Sequence, residues 1–136
     1  VTKSIFTADH FHLEIDGIAT GSFVRCSNLG GSVGVLQYQE GGFDGVRQFQ
    51  GDRLFSPIIL ERGVARDRAL FEWFLKGDRR DGALLVLTTE GREAFRWTFF
   101  RAWPCRWEGP AFDAGRAQVA LELLEIAHEG VECSAR

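Results

Sequence analysis

Ala94-Phe95-Arg96-Trp97-Thr98-Phe99-Phe100-Arg101-Ala102-Trp103-Pro104-Cys105-Arg106-Trp107-Glu108-Gly109-Pro110 carries three of the four tryptophans and three of the twelve phenylalanines of this chain. Successive side chains of a strand point to opposite faces. A period of two therefore puts Phe95, Trp97, Phe99, Arg101 and Trp103 on one side and Ala94, Arg96, Thr98, Phe100 and Ala102 on the other. The first face is nearly all aromatic, and each buried ring removes on the order of 150–250 Å² from water. The segment is the expected centre of a β core, with Arg96 and Thr98 on a solvated or partner-facing side. Pro104 lacks a ladder donor and Gly109-Pro110 signals a turn, so regular pairing is expected to stop near Trp103. Trp107 then lies outside the strand, either folded back over the core edge or set against another subunit.

The flanking segments supply partners for it. Ala83 to Thr89 is a nearly continuous apolar strand that should be covered on both faces, with Asp81-Gly82 and Glu90-Gly91 as turns around it. Ala117 to Ile126 sets Val119, Leu121 and Leu123 against Ala120, Glu122, Leu124 and Ile126. A helix also fits that length, and a strand is preferred because the sheet needs a closing partner. Near the start, Phe11, Leu13 and Ile15 alternate with His12, Glu14 and Asp16. Asp16-Gly17 then turns the chain into a returning arm, Ile18 to Cys26, anchored by Phe23. Leu54 to Arg62 is a further strand, where Pro57 argues for an edge position or a bulge.

Residues 66–77 are the one convincing helix. Leu70, Phe71, Phe74 and Leu75 recur at three- and four-residue spacing with Trp73 flanking them, Asp67 sits in the first turn, and Lys76 with Gly77 closes it. The sum is one domain over 1–136, mainly β with about seven strands and one α-helix, a small rolled barrel or sandwich with the helix packed on it.

Two stretches do not belong to that body. Val35 to Glu40 reads as a strand, but Gly41-Gly42 and Gly51-Asp52 interrupt the chain around it and apolar residues are sparse. The section 32–56 is therefore expected to project as a long hairpin or loop. Residues 1–8 show no clear periodicity and read as an N-terminal arm, mobile or ordered only on assembly.

Composition excludes more than it selects. At 136 residues and 45% hydrophobic content the chain can bury a core without staples. No apolar run approaches the roughly 18 residues of a membrane span and no charged-then-apolar leader is visible, so a soluble, unexported chain is expected. Three cysteines, Cys26, Cys105 and Cys133, have no CxxC spacing and suit reduced thiols. The overall charge of −3 is segregated, with −3 in residues 1–45, +4 in 46–107 and −4 in 108–136. These blocks either leave zones of opposite sign that favour association of identical copies, or interleave on one solvated surface.

No phosphate-cradling, GxSxG, HExxH or EF-hand spacing occurs, so no cofactor is expected and the chain does not read as an enzyme. His10 and His12, with His128, are the best metal candidates and lack a Cys or carboxylate partner at telling spacing. Cys133, near Glu129 and Glu132 in what reads as a loose tail, has no base positioned by sequence and is a bystander thiol. Arg92, Arg96, Arg101 and Arg106 with Trp97 and Trp103 offer charge and rings for nucleic acid, but mainly on opposite faces of an acidic chain.

Several phrases, in order over roughly residues 9 to 132, resemble the tail tube protein family of contractile phage tails and related contractile injection systems. They are Phe11-His12-Leu13-Glu14-Ile15-Asp16-Gly17-Ile18, then Tyr38-Gln39-Glu40-Gly41-Gly42, then Leu60-Glu61-Arg62-Gly63-Val64 leading to Leu70-Phe71-Glu72-Trp73-Phe74. Arg96-Trp97-Thr98-Phe99, Ala102-Trp103-Pro104, Trp107-Glu108-Gly109-Pro110 and Val119-Ala120-Leu121-Glu122 follow, and Glu125-Ile126-Ala127-His128-Glu129-Gly130 ends the series. The chain departs from the family pattern at Ala65, where a capping Thr, Ser or Asp is expected, and at Gln50-Gly51-Asp52-Arg53-Leu54-Phe55.

The resemblance implies a rolled β-sheet with one flanking helix, hexameric rings stacked into a hollow inner tube inside a contractile sheath, and an extended hairpin reaching neighbouring subunits. It implies subunit contacts at Tyr38, Glu40, Gly41, Gly42, Phe43, Val46, Arg47, Phe49, Arg62, Trp107, Glu108, His128 and Glu129. The implied partners are further copies of the chain, sheath, baseplate and tube-terminator proteins, and an effector or phage genome in the lumen. Assembly would take place in the cytoplasm, in a phage tail or a tail-like particle that is then released. A ring-forming secreted or adaptor protein of a related secretion machine, binding effectors without building a long tube, is the competing expectation.

Overall fold

The computed structural model describes residues 10–18, 23–42, 44–64, 68–117 and 119–135. These hold nine strands and one helix: β1 (Phe11–Ile15), β2 (Phe23–Ser27), β3 (Gly31–Tyr38), β4 (Arg47–Phe55), β5 (Ile58–Gly63), α1 (Ala69–Lys76), β6 (Arg80–Leu87), β7 (Glu93–Glu108), β8 (Leu121–Ala127) and β9 (Val131–Ala135). A seven-stranded antiparallel sheet runs β1-β6-β7-β8-β5-β2, with β9 also on β7, while β3 and β4 form a separate two-stranded sheet. The fold is mainly β with one helix, as expected. The sheet does not close as a barrel, because its two ends, β1 and β2, do not pair.

The aromatic segment is the strand that both halves of the sheet share, and it does not stop at Trp103. Residues Phe95 to Phe99 lie between β6 and β9, and residues Trp103 to Glu108 pair with β8. The change of partner falls at Arg101, whose φ of 51° is left-handed and whose N–H donates to Asp81 Oδ1 at 2.9 Å. That bend also shifts the alternation. Phe99 is buried, but Ala102 and Pro104 are the next buried side chains, and Arg101 and Trp103 lie on the other side of the sheet. Pro104 is tolerated inside the strand because the ladder is irregular just after it, between Pro104 and Arg106.

The core gathers the inward side chains of both halves, Leu13, Ile15, Ile58, Leu60, Phe99, Ala102, Leu124 and Ile126, with Leu70 and Trp73 of α1. Trp73, expected at the flank of the helix, is at its buried centre and donates to Asp78 O at 2.7 Å. Leu75 faces solvent instead. Gly77 ends α1 in the left-handed conformation with its N–H on Trp73 O at 2.7 Å. Ala65, where the family pattern has a capping residue, and Asp67, expected in the first turn, lie outside the described residues.

Other expectations needed correcting. β1 pairs with β6 and not with the following segment, apart from one bridge, Ile15 to Ile18. β2 goes to β5. The apolar β6 is thereby covered on one edge by β1 and on the other by β7, with Ala83 and Leu85 buried. Asp81-Gly82 is not a turn but part of β6. A Cβ on Gly82 would lie 2.6 Å from Phe99 Cε2 and 2.8 Å from Glu14 O, so this glycine serves close approach. Pro57 falls in a break between β4 and β5, which frees β5 to be an internal strand. The tail around Cys133 is not loose, since β9 pairs Cys133 with Trp97. The charge blocks interleave, because middle-block arginines pair with the ends: Arg62 with Glu122, Arg79 and Arg101 with Glu129, Arg96 with Glu14 and Arg106 with Glu125.

Candidate assembly surface

β3 and β4 alternate in sequence as strands do, yet have no body beneath them. Their register runs from Gly31 opposite Phe55 to Tyr38 opposite Arg47, and it places Leu36 across from Phe49. Every residue of β3 is exposed. Val35, Leu36, Tyr38, Val46, Phe49 and Leu54 are each more than half exposed. Cross-strand pairs stabilise a ribbon only modestly, and an isolated hairpin is marginal in water. A set of apolar side chains left out of its own core marks a binding surface.

The ribbon continues β2 and β5 past a break that is well tied. Asn28 takes a φ of 66°, which its short polar side chain tolerates, and its Nδ2 donates to Pro57 O at 2.7 Å. The Ser56 N–H donates to Gly30 O at 2.9 Å. His128, just after β8, sets Nε2 at 2.9 Å from Ser56 O, with its ring beside Phe55 and Phe99.

In the seven-stranded sheet three strands have a single partner strand among the described residues, so that each leaves an edge open: β1 bonds only to β6, β9 only to β7 and β2 only to β5. Between the β1 and β2 edges lies a cleft of about 440 Å³ lined by Phe11, Val24, Cys26, Leu84 and Val86. Burial there pushes the Cys26 thiol up to about 11.

The expected contact residues fall in three places. Tyr38, Glu40, Gly41, Gly42, Val46 and Arg47 gather at the far end of the hairpin, where Glu40 pairs with Arg47 at 3.4 Å, and Phe49 stands a little nearer the root. Phe43 lies outside the described residues. His128 and Glu129 are at the hairpin root, with Glu129 held by Arg79 and Arg101. Arg62 and Trp107 are turned into the protomer. Arg62 Nε donates to Glu122 Oε1 at 2.7 Å, Trp107 Nε1 donates to Glu122 Oε2 at 3.2 Å, and the Trp107 ring packs at a tilt against Phe71 of α1, with ring centroids 4.8 Å apart. Trp107 thus covers the core edge, one of its two expected positions. Glu108, at the end of β7, is exposed and paired with Arg106.

Sequence reasoning missed Val35, Leu36 and Leu54 on the hairpin, and Asn28, Ser56 and Pro57 at its root. The available signal was strand alternation in a segment with no complementary core face. The three strand edges left no mark of this kind. Among the described residues no three His, Cys, Asp or Glu side chains gather as a metal requires, and no helix is long and apolar enough to cross a membrane. Arg96, Arg101 and Arg106, weighed for a nucleic-acid groove, are engaged by carboxylates.

Comparison with known structures gives the same architecture. The chain superimposes with a TM-score of 0.88 on a chain of the anti-feeding prophage (AFP) baseplate, at 22% identity over 98% of both chains. It matches a chain of the PVC sheath-tube complex in the extended state, from an extracellular contractile injection system, with a TM-score of 0.89, at 20% identity over 98% of this chain and 94% of that one. A type six secretion system protein is more distant, with a TM-score of 0.62 and 13% identity over 90% and 82% of the two chains. No curated protein sequence matches the chain. The family model of the T4-like virus tail tube protein gp19 matches residues 7–132. The chain belongs to this family of tail tube proteins, which are structural proteins and not enzymes.

Proposed function

We propose that the protein is the inner-tube protomer of a contractile injection particle or contractile phage tail, closing into hexameric rings that stack into a hollow conduit for an effector or a genome. The observation that carries this is the β3–β4 hairpin, which stands outside the seven-stranded sheet with six apolar side chains more than half exposed. Burying one such side chain is worth about 1.5–3 kcal/mol, so covering the set with a neighbour supplies several kcal/mol toward association before its entropic cost.

The edges of β1, β2 and β9 supply the second contribution. An exposed edge templates pairing with another chain, and a closed ring of head-to-tail contacts consumes edges on every copy. The sheath, baseplate and terminator proteins are the further partners of this reading, with the particle assembled in the cytoplasm and then released. The neighbours found in sheath-tube and baseplate assemblies support it.

Negative-stain microscopy of the purified protein tests the reading, with hollow rings or tubes of uniform bore as the expected result. A species that stays monomeric at all concentrations would overturn it. The weaker likeness to a type six secretion system protein supports a second reading, a ring-forming secreted or adaptor protein. Rings that never stack, even with baseplate present, would select that one.

A further inference from the structure

We propose that Asp81 and Glu129 are positioning residues that hold Arg101 in its left-handed turn. The corner they make sets the angle between the two halves of the sheet, and with it the number of copies that close a ring. β7 changes partners at this point, with β6 and β9 alongside Phe95 to Phe99 and β8 alongside Trp103 to Glu108. On the β6 side Gly82 stands opposite Phe99 and Arg80 opposite Ala102. Asp81 therefore faces two residues, Phe100 and Arg101, a bulge that bends the strand and increases its twist.

Arg101 takes a φ of 51°. In that region an L side chain crowds the following carbonyl, so the conformation persists only where the surroundings over-determine it. Here every backbone polar group of the pair is engaged. Phe100 N–H donates to Gly130 O at 3.1 Å, and Phe100 O accepts from Glu129 N–H at 2.9 Å. Arg101 N–H donates to Asp81 Oδ1 at 2.9 Å, and Arg101 O accepts from Arg79 Nη1 at 3.3 Å. The Arg101 side chain adds another tie, with Nε donating at 2.9 Å to Glu129 Oε2, which also accepts from Arg79 Nη1 at 2.8 Å. Arg79 in turn lies over the Trp103 ring, 5.7 Å from its centroid.

These ties reach the corner from both halves. Asp81 belongs to β6, and its own C=O accepts from Asp16 N–H, just past β1, at 3.0 Å. Glu129 and Gly130 lie in the turn that leads out of β8, on the other half. The ion pairs are exposed, and each contributes little alone. The bond to Asp81 is charge-assisted and meets the strained residue itself, so it supplies most of the restraint.

A ring of identical copies closes only when the rotation between the two surfaces that each copy presents divides the circle evenly. The open edges are β1 and β9 on one half of the sheet and β2 on the other. A contact that joins β2 of one copy to the first half of the next therefore includes the angle of the corner in that rotation. The corner is a property of the protomer. Its bearing on ring closure rests on the tube reading.

The test compares the full chain with two variants. Asp81→Ala combined with Arg101→Gly removes both the restraint and the side chain that needs it, whereas Asp81→Asn keeps an oxygen that accepts from the Arg101 amide. Residual dipolar couplings of the dilute protomer report how the amides of β6 are oriented relative to those of β8. The double variant is expected to turn one half against the other by about 10°, half the twist between neighbouring strands of an ordinary sheet, and Asp81→Asn to leave it in place. Native mass spectrometry of the rings should give one copy number for the unaltered chain and for Asp81→Asn, and several for the double variant. An unchanged angle in the double variant would overturn the proposal. So would a changed angle with rings of the same single copy number, since a merely structural role moves the melting temperature and not the count.

If the double variant does not fold, the unaltered chain decides. A protected Arg101 amide with the strong Hα–amide contact of a left-handed residue supports the corner, and a freely exchanging one refutes it. Failure of the unaltered chain to form rings would count against the tube reading alone, and the angle would still decide for the corner.

Discussion

Glu122 and Arg62 show what a single position can conceal. Each lies in a strand with alternating apolar neighbours, and the pair is 8% and 1% exposed. Two charges out of water are tolerable only because each is engaged: Glu122 accepts from Arg62 with one oxygen and from Trp107 with the other. Removing one partner strands the other. Glu122→Ala should therefore cost about 3–5 kcal/mol, a large share of a domain's stability, whereas Arg62→Met with Glu122→Leu should be neutral or stabilising. Urea denaturation of the unassembled protomer measures both. A loss below about 1 kcal/mol for Glu122→Ala would mean that water reaches the pair. The sequence placed Glu122 on the same face as Leu124 and Ile126, which was correct, but gave no reason to match it with Arg62 across 60 residues. Arg101 was as opaque, because a left-handed φ at an arginine leaves no trace in composition.

At the scale of elements, legibility followed the strength of the local pattern. β1, β6, α1 and the aromatic part of β7 were readable because a buried face enforces periodicity. Pairing was not, because a strand's pattern says which face is buried and nothing about which neighbour lies alongside. Hence β2 was assigned to β1 and not to β5. Gly82 failed for a related reason: glycine marks a turn and a close approach alike, and only the Phe99 ring above it tells them apart. The hairpin was readable through what it lacks. Because β3 is exposed along its whole length and the ribbon pairs with no strand of the larger sheet, it should add little to protomer stability. Replacing residues 32–54 with a short Asn-Gly turn should leave the melting temperature of the unassembled protein within a few degrees while abolishing rings and tubes. Calorimetry and negative-stain microscopy read the two outcomes. A large drop in melting temperature would show that the ribbon is part of the body after all.

For the whole molecule the question is which surfaces a neighbour takes up. Charge alone does not select them, since the acidic ends and basic middle neutralise one another within the protomer. What remains uncovered is backbone and apolar surface: the edges of β1, β2 and β9, the cleft lined by Phe11, Val24 and Val86, and the hairpin. Backbone pairing is insensitive to salt, so association should persist when surface ion pairs are screened. It should also be visible amide by amide. On assembly, amides of β1 and β9 that have no partner in the protomer should gain at least about tenfold protection, while those of α1 and the internal strand β5 should change little. Comparing exchange in the dilute protomer with exchange in the assembled particle measures this directly. Particles that form while both edges go on exchanging as freely as in solution would mean that side chains alone join the copies, and the edges would then need another cover.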